Sequence, residues 1–117
     1  MAEYTGPERR KYPRLNANFV VSYRIKEVPD NFDISQTKNV SGGGILLTTN
    51  RKFEKGTLLT LNIRFPFLAD RIEVTGEIVD SKEIVRDLIY ETRIKFLDLD
   101  PDVLKKLQDF VLVRFKK

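Results

Sequence analysis

An alternation of apolar and polar side chains, recurring in short runs between Asn18 and Phe96, constrains this chain more than any other feature. Leu59, Leu61, Ile63 and Phe65 take every second place, with Leu58, Thr60, Asn62 and Arg64 between them. Successive side chains of a strand point to opposite faces, so such a run marks a half-buried strand. Phe19, Val21, Tyr23 and Ile25 keep the same period, as do Tyr90, Thr92, Ile94 and Phe96. Ile72, Val74 and Ile78 share one parity, and Gly76 interrupts them as a bend or a close backbone approach would. Ile34–Val40 alternates weakly, and Ile45–Thr49 is a short apolar β-type run. Turn signals separate these runs at Pro29-Asp30-Asn31, Gly42-Gly43-Gly44, Lys55-Gly56 and Pro66–Asp70, with a longer loop near Lys82–Asp87. Six short strands with frequent turns predict a mainly β fold, either barrel or sandwich.

The period then changes. Val103, Leu104, Leu107, Phe110, Val111 and Phe115 fall on one face of a helix spanning 101–115. Asp100 suits the N-cap, Pro101 the first helical position, and Asp102 the positive end of the dipole. Leu99 and Leu104 are spaced for a hydrophobic staple. The expected organisation is a flexible basic arm over 1–17 and one β body with its helix over 18–117.

A chain of 117 residues with 41% apolar and 32% charged side chains has the size and balance of one globular domain. It contains no Cys and no His. That removes disulfides, thiolate metal sites, the commonest metal ligand and the commonest general base. Asp98-Leu99-Asp100-Pro101-Asp102 opens like a calcium loop, but Val103 stands where glycine is needed and Asp109 where glutamate is needed. No metal site is expected. Asp30, Asp33, Asp80 and Asp87 sit in or near expected turns, and no catalytic constellation emerges, so no enzyme is expected. The apolar runs Ile45–Leu47 and Phe110–Val113 fall far short of the roughly 20 residues of a membrane span. The first residues lack the apolar stretch of a signal peptide, which makes the cytoplasm the expected location.

The net charge of +4 permits an anionic partner, and its placement is informative. Glu8-Arg9-Arg10-Lys11-Tyr12-Pro13-Arg14 puts a basic arm ahead of the first strand, with Arg10 and Arg14 in an R-x-x-x-R spacing. Asn39-Val40-Ser41-Gly42-Gly43-Gly44 has an N-x-S-x-x-G spacing between the second and third runs. Each pattern is weak alone: basic arms are commonly solvated, and the second reads as a polar hairpin turn. Together, in this order, they resemble the PilZ domain family of bacterial receptor domains. Ile94-Lys95-Phe96-Leu97-Asp98-Leu99-Asp100-Pro101 looks like the same family where its last strand passes into a helix.

That resemblance implies a six-stranded antiparallel β-barrel with a C-terminal α-helix, and cyclic di-GMP as the ligand, with no cofactor. It implies Arg10 and Arg14 as clamps with Arg9 as a third, and Asn39, Ser41, Gly43 and Gly44 as the facing contacts. The residue types suit such a ligand. Arginine matches phosphate oxygens and the guanine edge bidentately and can stack on a purine. Asn39 and Ser41 supply amide and hydroxyl bonds, while Gly43 and Gly44 allow close backbone approach or a positive φ. Arg9 adds a charge suited to a stacked pair of ligands. The expected action is a shift in the arm's position on binding, with the signal passed to an unidentified downstream protein. Two other readings are open. One is a small basic barrel binding single-stranded nucleic acid, disfavoured because Phe19, Tyr23, Phe65 and Phe96 share the apolar parity. The other is a protein-interaction module that has kept the fold.

Overall fold

The inward parity of each alternating run becomes the inside of a cylinder. In a computed structural model, which describes residues 15–26 and 32–115, the strands are β1 Val20–Ile25, β2 Asp33–Val40, β3 Gly44–Thr49, β4 Leu58–Ile63, β5 Ile72–Val85 and β6 Ile89–Phe96, followed by helix α1 Pro101–Phe115. All neighbouring pairs are antiparallel, and the order β1-β2-β3-β6-β5-β4 closes into a barrel. Closure leaves a short β-protein no long open edge along its wall. Val21, Val40, Leu47, Leu59, Leu61, Ile63, Val74, Ile78 and Ile94 fill the interior. The expected barrel and helix are present. The Pro29–Asn31 turn and the Phe115 side chain lie outside the described residues.

The weak alternation of β2 has a local cause. The register with β3 shifts between Thr37 and Asn39, a β-bulge, so Thr37 and Val40 both face inward although three positions apart. Ile34, apolar in sequence, is 76% exposed.

The loop expected near Lys82–Asp87 is instead strand. β5 runs on to Val85 and stays paired with β6 through Lys82↔Glu91, Glu83↔Tyr90 and Val85↔Ile89. Only a tight turn remains, closed by the Leu88 amide on the Val85 carbonyl at 2.9 Å, with Asp87 at φ 59°. This part of the hairpin projects past the barrel, where neither face is covered. Burial therefore imposes no alternation on it, and it resembles a loop in sequence. Gly76 also departs from a simple bend. A Cβ there would lie 2.4 Å from Ile94 Cγ2 and 2.9 Å from Leu61 Cδ1, so core side chains occupy its place.

Helix α1 begins as its sequence dictates. Asp100 Oδ1 accepts from the Asp102 amide at 2.8 Å, and the Asp100 carbonyl accepts from the Leu104 amide at 2.8 Å. Leu107 and Val111 are buried against the barrel core. Phe110 packs on Phe19 and Phe67, with ring centroids 5.8 and 5.2 Å apart. Phe67 stacks on Phe65 at 5.0 Å, and Phe65 meets Phe19 edge-on at 5.5 Å. Each such pair contributes about 0.5–1.5 kcal/mol beyond area burial. The cluster ties the helix to the stretch just ahead of β1. Among the described residues no helix is long and apolar enough to cross a membrane.

Candidate functional site

The N-x-S-x-x-G segment forms the end of β2 and the turn into β3. Ser41 and Gly44 face each other: the Ser41 amide donates to the Gly44 carbonyl at 2.9 Å. The Ser41 hydroxyl braces the same turn, accepting from the Gly43 amide at 3.2 Å and reaching the Gly44 carbonyl at 3.5 Å. A serine hydroxyl has two acceptor lone pairs, so one is left for a ligand. Asn39 is half-buried and sits directly after the bulge, opposite Leu46.

The two glycines meet β6 in different ways. The Gly43 carbonyl accepts from the Phe96 amide at 2.9 Å, which fastens the turn to the end of β6. At Gly44 a Cβ would fall 2.1 Å from the Ile94 carbonyl oxygen and 3.0 Å from Lys95 Cα. Gly44 does not take a positive φ. Its requirement is steric: β3 can start flush against β6 only without a side chain there. Of the two uses expected for Gly44, close backbone approach is the one present, and the backbone approached is that of β6.

Leu15 connects the other motif to this turn. It exchanges two backbone hydrogen bonds with Val40, each 2.9 Å, forming an antiparallel bridge ahead of β1. Leu15 follows Arg14 in sequence, and Val40 stands between Asn39 and Ser41. The chain is held again two residues on. Thr37 Oγ1 donates to the Ala17 carbonyl at 2.6 Å and accepts from the Phe19 amide at 2.9 Å, while the Thr37 amide donates to the Phe19 carbonyl at 2.9 Å. Leu15–Ala17, counted with the arm in the sequence reading, are thus tied to β2. Arg9, Arg10 and Arg14 lie outside the described residues.

Two further cations line the outer wall beside the turn. Arg93 and Lys95 of β6 stand opposite Leu46 and Gly44. Arg93 lies 3.7 Å from Asp80 and Lys95 lies 3.4 Å from Glu77, all four side chains partly exposed. Lys38, at the bulge, pairs with Glu91. Thr37, Arg93 and Lys95 were not singled out from the sequence. The outward parity of Arg93 and Lys95 was visible there, but their position beside Gly44 depends on β3–β6 pairing. Among the described residues no group of His, Cys, Asp or Glu is placed to hold a metal ion.

A closed six-stranded barrel with a C-terminal helix, and with the segment ahead of β1 laid against its β2–β3 turn, defines a small β-barrel module. The PilZ domain model matches residues 8–112, and the chain belongs to that family. Among solved structures it is similar to the Bacillus subtilis inhibitor of motility MotI/DgrA, at 20% identity and a TM-score of 0.76, over 92% of this chain and 51% of that one. It is similar also to the PilZ domain of Escherichia coli YcgR with c-di-GMP, at 15% identity and a TM-score of 0.66, over 91% of each chain. A third is the K. pneumonia MrkH–c-di-GMP complex, at 17% identity and a TM-score of 0.66, over 94% of this chain and 56% of that one. The chain thus spans about half the length of MotI/DgrA and MrkH. A search of curated proteins finds no match.

Proposed function

We propose that this chain is a cyclic di-GMP receptor that carries out no reaction itself and passes a signal to a partner protein. The observation that carries the reading is the Leu15–Val40 bridge, which brings the root of the R-x-x-x-R arm to Val40, between Asn39 and Ser41 of the N-x-S-x-x-G segment. Family membership supports it, as does likeness to the YcgR domain and MrkH, each solved with c-di-GMP. In this reading Arg10 and Arg14 clamp phosphate or guanine, Arg9 adds a third cation, and Asn39 and Ser41 bind a guanine edge. Gly43 and Gly44 keep the turn low enough for the ligand to lie on it. The arm changes its position as it closes over the ligand. A base-stacking platform for single-stranded nucleic acid finds less support, because Phe19, Tyr23 and Phe65 are buried.

Calorimetric titration with cyclic di-GMP, with cyclic di-AMP and GTP as controls, tests the reading. Arg10→Ala and Arg14→Ala are each expected to cost about 1.5–3 kcal/mol, the scale of a charged hydrogen bond, or about 10- to 100-fold in Kd. Trypsin cleavage after Arg9, Arg10 and Lys11 is expected to slow when ligand is present. No heat, and no competition at saturating ligand, would overturn the receptor reading.

A further inference from the structure

The end of the barrel away from the Ser41–Gly44 turn carries a second concavity. It lies at the start of β2, the end of β3 and the start of β6, some six residues and therefore roughly 20 Å along β2 from Asn39. Its volume is about 200 Å³, and Tyr23, Asp33, Ile34, Asn50, Leu88 and Ile89 are among the residues around it. Ligand pockets for small molecules usually measure about 300–1,000 Å³. This one has the capacity of a single long side chain.

The lining separates by chemistry. Ile34 and Leu88 are 76% and 64% exposed, and Ile89 stands beside them at the foot of the projecting hairpin. The apolar rim continues onto that hairpin through Ile84 and Val85, both exposed, with Val85 paired to Ile89. Contiguous exposed apolar surface of this kind marks an interaction site. The lining polar groups of β3 are already engaged: the Thr48 carbonyl accepts from Ser35 Oγ at 2.6 Å, and the Thr49 hydroxyl bonds the Arg51 carbonyl and Thr92. Tyr23 is 3% exposed and lines the pocket. Asp33, opposite Tyr23 across the β1–β2 ladder, is the single formally charged lining residue among the described residues.

Arg51 lies over the Phe53 ring at 4.5 Å, and its charge also reaches Tyr23, though less strongly than that of Asp33. Arg24 donates to the Lys26 carbonyl at 2.9 Å while lying 5.3 Å from the centre of the Phe32 ring. An anionic pocket on a chain of net charge +4 selects against nucleotides and acidic lipid, and for a cation.

We propose that this pocket is a docking site for a partner protein, which inserts one arginine or lysine side chain between Tyr23 and Asp33 and lays flanking apolar residues on Ile34, Leu88 and Ile89. The Asp33 carboxylate and Tyr23 hydroxyl accept hydrogen bonds from the cation, and the rim buries its neighbours. A phenol held protonated by burial remains a neutral partner for that cation at ordinary pH. The site lies at the other end of β2 from Asn39 and stands whether or not cyclic di-GMP is the ligand.

The test is a backbone-amide NMR titration with acetyl-Leu-Arg-Leu-amide, its Glu counterpart, and n-butylguanidinium. The Arg peptide is expected to move Ile34, Asn50, Leu88 and Ile89. Its Kd is expected to rise at least about tenfold in both Asp33→Asn and Leu88→Ser, the cost of losing a charged hydrogen bond or an apolar anchor. The melting temperature of each variant reports whether it is folded, and Tyr23→Phe provides a third, nearly isosteric variant. Absent shifts, equal binding of the Glu peptide, or an unchanged Kd in Asp33→Asn each overturn the proposal. Butylguanidinium binding as tightly as the peptide would make this a small-amine site instead. Self-association of the wild type that Leu88→Ser abolishes would assign the surface to a second copy of the chain.

Discussion

Phe19 and Thr37 hold each other twice: the Phe19 amide donates to the Thr37 hydroxyl, and the Thr37 amide donates to the Phe19 carbonyl, each at 2.9 Å. Since Thr37 Oγ1 also donates to Ala17, one buried side chain sets how the stretch before β1 enters the barrel.

Thr37→Val keeps the shape and removes the hydroxyl, leaving the Phe19 amide without its partner. An unsatisfied buried donor costs about 1–3 kcal/mol, and urea denaturation is expected to show a loss of that size. Thr37→Ser, which retains the hydroxyl, is expected to fall between wild type and valine. Equal stabilities for serine and valine would show that the hydroxyl contributes nothing.

Gly44→Ala and Gly56→Ala separate two reasons for having glycine. At Gly44 the new Cβ meets a backbone oxygen at 2.1 Å, so β3 and β6 must part, at a cost of about 3 kcal/mol or more. At Gly56, φ is +89° with nothing within 4 Å, so the cost is backbone strain alone, about 1–2 kcal/mol. The ranking is read from the two denaturation midpoints. Gly56→Ala proving the more damaging would contradict the strand contact described at Gly44.

The Tyr23 phenol is pushed up to about 12, chiefly by burial, with the Asp33 charge adding to the shift and Arg51 opposing it. The folded-state value lies above the ordinary value of 10, so its contribution to stability is complete below pH 10 and is lost as pH rises through about 12. Ultraviolet titration of the phenolate band should show Tyr23 ionising late, with the Tyr90 phenol also raised, by burial and by Glu83 and Asp87. Tyr23→Phe should shrink the late step and flatten the fall in stability at high pH. A late step of unchanged amplitude in Tyr23→Phe would show that Tyr23 takes no part in it.

Arg9→Leu tests ligand number and rests on the receptor reading. Two stacked dinucleotides bring four phosphate charges close together, and Arg9, Arg10 and Arg14 supply three cations against them. The wild type is expected to saturate at two ligands per chain and Arg9→Leu at one, counted by calorimetry. The same count in both proteins removes Arg9 from the clamp.

Strand placement was legible because burial on one face leaves a period of two, as at Leu59–Phe65, and the helix start because Asp100 and Pro101 have narrow local uses. Both site motifs were visible as residue types, but not the reasons for all of them. Gly44 is explained by Ile94, and Leu15 by Val40, through pairings that no local pattern encodes. Thr37 looked like any strand threonine, since its partners Ala17 and Phe19 belong to another segment. The end of β5 from Lys82 reads as a loop because alternation records burial, and Lys82–Val85 is exposed throughout.

The β3–β6 seam also carries a consequence for biosynthesis. Both motifs are complete in sequence once Gly44 is made, yet the strand that closes on Gly44 and fastens Gly43 ends only at Phe96. Pairing of segments so distant in sequence forms slowly, because loop-closure entropy must be met before the contacts form. The turn therefore acquires its braced shape late in translation, and a nascent chain stopped before β6 carries every residue of both motifs without the scaffold that aligns them.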